Sequence, residues 1–175
     1  MLFRSIYDLC ILGGGPGGFA GAMRAFDFGK RVCLVEGGEI GGAGVKWGAL
    51  ASKTLWELAK DYSTASKVDR GYRVAALSVS YAEVAATVEQ AVKERQYQML
   101  TQLESFSPQR WNGPGSITLM RGWATFNDGA SVRVYQGQEH WQQVCARNFL
   151  IATGSRPRAY RSEEHTSELQ SPNTI

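Results

Sequence analysis

The chain opens on an apolar run, IYDLCIL (6–12), bounded by glycine, the pattern of a buried parallel strand. GGGPGG follows, and then Phe19, Ala22, Met23 and Phe26 recur at helical spacing as far as Gly29, which predicts a helix that stops there. RVCLVE (31–36) is a second buried strand. Together these make a βαβ unit of about thirty residues. Residues 37–48 are glycine-rich and are expected to wrap a ligand, and a helix starts near Ala49 and runs through SKTLWELAKDY. GYRVAAL (71–77) reads as a connecting segment. Ser80 and Glu83 form a capping box, after which Val84, Val88, Val92, Met99 and Leu103 carry one long helix to about Phe106. SPQRWNGPG ends it. ITLMRGWATF, SVRVYQG and EHWQQVCA are β-rich, with turns at Asn127-Asp128-Gly129 and at Gly137, and predict a small antiparallel meander. NFLIATG (148–154) is a last buried strand running into a glycine turn. The order predicts an α/β, Rossmann-like domain: a parallel sheet, long helices and the meander.

Composition narrows this little further. Of 175 residues, 43% are hydrophobic and 20% charged, which suits one soluble globular domain. A net charge of +3 without a Lys/Arg block argues against a nucleic-acid partner. No apolar run approaches the ~20 residues that span a bilayer. The apolar stretch at the start is too short to be a signal peptide. Cys10, Cys33 and Cys145 have neither close pairing nor metal-like spacing, so they are expected to be buried thiols in a reducing cytoplasm, and no metal site is expected. The final segment, RSEEHTSELQSPNTI (161–175), lacks apolar periodicity. Its first eleven residues resemble the in-frame translation of a common sequencing adapter. On that reading residues 1–160 are the N-terminal part of a domain incomplete at its C-terminus, and 161–175 are foreign and disordered.

The chemistry sits in the glycine turn. Gly13, Gly15 and Gly18 form G-x-G-x-x-G directly after a strand and before a helix. Gly13 permits the tight turn, Gly15 lets backbone approach a pyrophosphate, and Gly18 lets helix and strand pack closely. The free N–H groups at the helix start then hold phosphate. Glu36, at the end of the second strand, is placed to accept hydrogen bonds from ribose hydroxyls. Strand, turn, helix, strand and acid together point to a dinucleotide, although the motif does not choose between FAD and NAD.

YDLCILGGGPGGFAGAMRA, LVEGGEIGGAGVKWGALASK, GWATFNDGASVRV and FLIATGSRP appear in an order and spacing that resemble the class I pyridine-nucleotide disulfide oxidoreductases. Dihydrolipoamide dehydrogenase and soluble transhydrogenase are members of that family. The resemblance implies FAD at the N-terminal glycine motif and NAD(P) at a second one, absent here. By position, Gly13, Gly14, Gly15, Pro16, Gly17, Gly18, Glu36 and Gly37 would hold the AMP half of FAD. Gly41 and Gly42 would pass the pyrophosphate, and Ser52 and Lys53 would lie near the flavin, where Lys53 is the expected catalytic group. Trp123 and Ala124 match backbone that contacts adenine; Ala152, Thr153 and Gly154 match the turn that closes on the cofactor. The resemblance also implies a homodimer formed through a C-terminal domain not present here.

The pattern breaks in one place. The family's redox segment is GGxCxxxGCxPSK, and here it reads GGAGVKWGALASK (41–53), so Gly44 and Ala49 stand where the two cysteines would be and Ala51 where the proline would be. Neither residue can form a thiolate, so a dithiol relay at this site is excluded. The expectation is therefore a flavin-dependent NAD(P)H oxidoreductase that passes electrons to a small-molecule acceptor without protein sulfur, with Trp47 and Lys46 on the acceptor side. The alternatives are a noncatalytic FAD-binding protein and an NAD-binding dehydrogenase domain. Trp56, Trp111 and Trp141 are expected to be core or interface residues, and His140 to have no catalytic role.

Overall fold

A computed structural model describes residues 6–71, 73–137 and 140–155; the segment 161–175 and its expected disorder lie outside the described residues. Its centre is a parallel sheet. Strand β2 (Leu9–Leu12) pairs in register with β3 (Arg31–Glu36), Cys10 opposite Cys33 and Ile11 opposite Leu34. Helix α1 (Pro16–Asp27) connects them, with Pro16 in its first turn, where a missing N–H costs nothing. Successive side chains of a strand point to opposite faces. Accordingly Ile11, Val32 and Leu34 join Ala22 of α1 in one core, while Cys10, Leu12, Cys33 and Val35 face a second core on the other side of the sheet.

The short helix α2 (Gly42–Lys46) follows, then α3 (Ala49–Ala65) and the long α4 (Tyr81–Ser105). The Ser80 hydroxyl accepts the Glu83 N–H at 3.4 Å, as the capping signature predicts. Met99 and Leu103 are the fully buried residues of α4 and complete the first core with Ile117. Phe26 stacks on Phe106 at 4.1 Å between ring centres, and Trp111 meets both edge-on at the margin of the core, still 37% exposed. Trp56 and Trp141 lie outside the core, 69% and 53% exposed. Helix α3 buries none of its residues completely, so Trp56 has no core to enter.

The β-rich part departs from the expected meander. What reads as one strand, ITLMRGWATF, is two strands in different sheets. Strand β4 (Ser116–Arg121) pairs parallel with β3 along its length, from Arg31↔Ser116 to Glu36↔Arg121. The chain then turns at Gly122 (φ 145°), and β5 (Trp123–Asp128) starts the antiparallel meander with β6 (Ser131–Tyr135) and β7 (Trp141–Ala146). The first run, 6–12, is also divided: β1 (Ile6–Tyr7) pairs with β7, and Asp8 separates it from β2. The Asp8 carboxylate accepts the Arg31 N–H at 2.9 Å, which breaks the strand where it passes between sheets. Strand β8 (Phe149–Ile151) pairs parallel with β2, but it is not the buried strand expected: at the edge of the sheet, Ile151 is 65% exposed. The parallel sheet thus runs β4-β3-β2-β8 and the other β1-β7-β6-β5. Among the described residues no helix is long and apolar enough to cross a membrane.

Candidate functional site

Everything expected of the glycine turn gathers at the carboxyl end of β2. Gly13 has φ 104°, and a Cβ there would run into the carbonyl oxygen of Ala152. Ala152 and Thr153 therefore close directly on the turn, Gly154 following them, and the Ala152 N–H donates to the Leu12 carbonyl at 2.8 Å. A Cβ on Gly18 would strike the Gly13 carbonyl, which is the close packing of helix on strand that the motif predicts.

Gly15 is different. It caps α1 with φ −70° and ψ −174°, a conformation open to any residue, and the nearest atom to a Cβ there is Gly42 Cα at 4.0 Å. Gly17 meets nothing within 4 Å. Nothing among the described residues requires these glycines. They leave the start of α1 bare, where the first N–H groups of a helix have no partner within it. Gly42 lies on the same side, and the Gly41 N–H donates to the Gly14 carbonyl at 2.8 Å, holding the start of α2 against the turn. A side chain at 15 would fill this cradle, so its residues fit a diphosphate.

Glu36 ends β3 and turns toward the cradle. Its Oε2 accepts the Gly14 N–H at 2.6 Å and its Oε1 the Gly38 N–H at 2.7 Å. A carboxylate has about four lone-pair positions, so two remain for sugar hydroxyls. The sequence did not reveal that Glu36 also ties residues 14 and 38 together. Nor did it reveal Arg121, whose Nη1 donates to the Gly38 carbonyl at 2.8 Å, or the Gly122 N–H that donates to the Glu36 carbonyl at 2.9 Å. Trp123 lays its indole on Gly37. Ala124, paired with Val134, packs against the second core.

The segment 41–53 continues from the contact of Gly41 with Gly14 along the start of α1. Gly44 rests on Pro16: a Cβ there would lie 2.5 Å from Pro16 Cγ. Lys46 Nζ pairs with Glu39 Oε2 at 2.7 Å and sits 4.7 Å from the centre of the Trp47 ring. That ammonium, and then the Gln96 amide, hold the Glu39 carboxyl below its usual range. Lys46 is thus an ion-pair residue, and Trp47 is 62% exposed. Ser52 and Lys53 lie early in α3 with exposed side chains; the Ser52 N–H donates to the Gly48 carbonyl at 3.0 Å. Cys10 and Cys33 are buried neighbours, and their mutual hydrogen bond together with burial holds the Cys33 thiol far above its usual range. His140 is exposed.

A glycine turn between parallel strands, a helix start left bare and an acid at the next strand's end define a βαβ domain of the dinucleotide-binding type. Within that class the chain belongs to the pyridine nucleotide-disulphide oxidoreductase family, whose profile matches residues 7–171. A dihydrolipoyl dehydrogenase of Chlorobaculum parvum is 29% identical over 153 residues, covering 87% of this chain and 31% of that protein. A soluble pyridine nucleotide transhydrogenase of Chromohalobacter salexigens is 32% identical over 154 residues, covering 86% and 31%. Among solved structures, the Cu(II) complex of the HOCl-induced flavoprotein disulfide reductase RclA from Escherichia coli matches with a TM-score of 0.71 at 20% identity. It covers 90% of this chain and 31% of that one, and shares the fold. The chain therefore spans less than a third of the length of these relatives.

Proposed function

We propose that residues 6–155 form the FAD-binding part of a pyridine-nucleotide oxidoreductase that works without a protein dithiol. The observation that carries this is the pair of glycines, Gly15 and Gly17, that no neighbour among the described residues demands, beside a carboxylate aimed at the same turn. On this reading the amides at the start of α1 hold the pyrophosphate and Glu36 takes the ribose with its remaining lone pairs. Gly41 and Gly42 pass beside the phosphates, Ala152, Thr153 and Gly154 close over them, and the Lys53 ammonium stands near the flavin, where positive charge favours its reduced anion. Bound FAD would supply the redox chemistry, taking hydride from reduced NAD(P) and passing electrons to a small-molecule acceptor. With Gly44 and Ala49 in the redox segment, this chain offers no sulfur there to relay them. The nicotinamide site and a homodimer contact belong, on this proposal, to regions that the relatives have and this chain does not span.

Two measurements test it. This chain should bind ADP and FAD competitively and ignore FMN, because it contains the adenylate half of the site and little of the flavin half. Gly15→Ala should weaken that binding with the melting temperature little changed, since a Cβ there meets its nearest described neighbour, Gly42 Cα, at an ordinary 4.0 Å. Binding of FMN but not ADP would overturn the assignment. The missing cysteines favour one other reading, a flavoprotein that binds without turnover. A longer relative-length protein mixed anaerobically with NAD(P)H separates the two: bleaching of the flavin band is expected of the enzyme, and a persistent band of the binding protein.

A further inference from the structure

Val92, Met99 and Leu103 carry the face of α4 that packs on the first core, and Gln96 stands on the same stripe, four residues after Val92 and three before Met99. A polar side chain where the helical pattern calls for an apolar one needs partners there. Gln96 finds them 56 and 57 residues earlier in the chain. Its Nε2 donates to the Ile40 carbonyl at 3.1 Å and to the Glu39 carboxylate at 3.4 Å. Both partners only accept, so the NH2 end of the amide faces them and not its oxygen. The Lys46 ammonium holds the same Glu39 oxygen at 2.7 Å, which fixes that carboxylate between α2 and α4.

The Ile40 carbonyl and the Gly41 N–H belong to one planar peptide unit. Gln96 holds one end of that plane, and at the other end the Gly41 N–H donates to the Gly14 carbonyl at 2.8 Å. The Gly14 carbonyl is in turn one end of the next plane, whose N–H is that of Gly15 at the bare start of α1. Two hydrogen bonds and two rigid planes thus connect a side chain of α4 to the first N–H of the cradle. Each carbonyl that accepts also polarises the N–H of its own peptide, so the series strengthens that donor as well as orienting it. We propose that Gln96 is a positioning residue for the diphosphate site, setting the direction of the Gly15 amide through the peptide between Ile40 and Gly41. This rests on the dinucleotide reading above and adds to it a residue that stands outside the cradle.

Equilibrium dialysis of the whole chain against ADP and against adenosine tests this. Gln96→Met keeps the length of the side chain and its helix-forming tendency but has nothing to donate. It should weaken ADP about three- to tenfold, the net effect of one hydrogen bond, and leave adenosine unchanged. Gln96→Glu, of the same shape and without a donor at neutral pH, should lose at least as much. In the amide proton–nitrogen spectrum of either variant the Gly41 and Gly15 signals should move. The signal of Gly29, held by the Phe26 carbonyl at the far end of α1, should stay. Parent-like ADP affinity in both variants overturns the positioning role alone, as does a Gly15 signal that does not move. An equal loss of ADP and adenosine overturns it too, because general loosening of α4 then explains both. A parent chain that binds no ADP at all overturns the dinucleotide reading and this inference with it.

Discussion

The glycines of residues 13–48 do three separate jobs, and only space distinguishes them. Gly13 and Gly18 are required by the turn, Gly15 by no described neighbour, which is why the proposed function leans on it, and Gly44 by the contact of α2 with α1. The last bears on the lost cysteine pair. Pro16 is a rigid ring at the start of α1, so it cannot swing away from a Cβ placed 2.5 Å from its Cγ. Gly44→Ala should cost about 1–3 kcal/mol, the usual penalty of overpacking. Adding Pro16→Ala should return much of it, because the clash partner is then gone. Thermal melts of the two single variants and the double variant measure this coupling. If Gly44→Ala melts like the parent, α2 does not lie on Pro16. The same contact means that a thiol pair cannot be restored by placing cysteine at 44 and 49 without first moving α2.

At the scale of elements, the corner between β4 and β5 is where sequence and structure part. Helices α1, α3 and α4 and the buried strands β2 and β3 were legible, because apolar residues repeat with the period each element requires, whereas the short α2 and the exposure of β8 were not. The corner was not. Alternation runs unbroken through LMRGWATF, and nothing local says that the strand changes sheets at Gly122. That information lies in pairings with β3 and β6, roughly 85 residues before and a dozen after. The candidate site divides the same way. Its motif glycines and Glu36 could be read from local spacing, whereas the bonds from Glu36 to Gly38 and from Arg121 to Gly38, and the indole on Gly37, are contacts between distant segments. The break at Asp8 is equally silent, since only the Arg31 amide across the sheet explains it. Gly122 then makes a prediction of its own. With φ 145° and a Cβ that would meet the Tyr135 carbonyl, Gly122→Ala should destabilise by about 1–3 kcal/mol. Gly129→Ala, at a turn where nothing lies within 4 Å, should stay within about 0.5 kcal/mol of the parent. Equal melting temperatures for the two variants would remove the corner from the account.

For the molecule as a whole, Asp8 is the junction. It lies between β1, in the meander sheet, and β2, in the parallel sheet, and its carboxylate accepts the Arg31 N–H while standing 3.8 Å from the Arg31 Nε and 3.9 Å from Arg147 Nη1. The backbone hydrogen bond first, and the two guanidinium groups after it, hold its carboxyl below the usual aspartate range. A depressed value in the folded state means that the folded state releases this proton more readily than the unfolded chain does. Stability from Asp8 is then fully present above the ordinary aspartate value and is lost as pH falls through the lower, folded one. Asp8→Asn should therefore melt at a lower temperature than the parent near neutral pH, and the difference should shrink as the solution is acidified. Salt discriminates between the causes. Both arginines are largely exposed, and exposed ion pairs at such distances contribute little and are screened. The hydrogen bond from the Arg31 amide is short and local, so screening ions hardly reach it. The acid-dependent difference between parent and Asp8→Asn should accordingly survive high salt nearly intact. If salt erases it, the charges and not the backbone amide join the two sheets at this point.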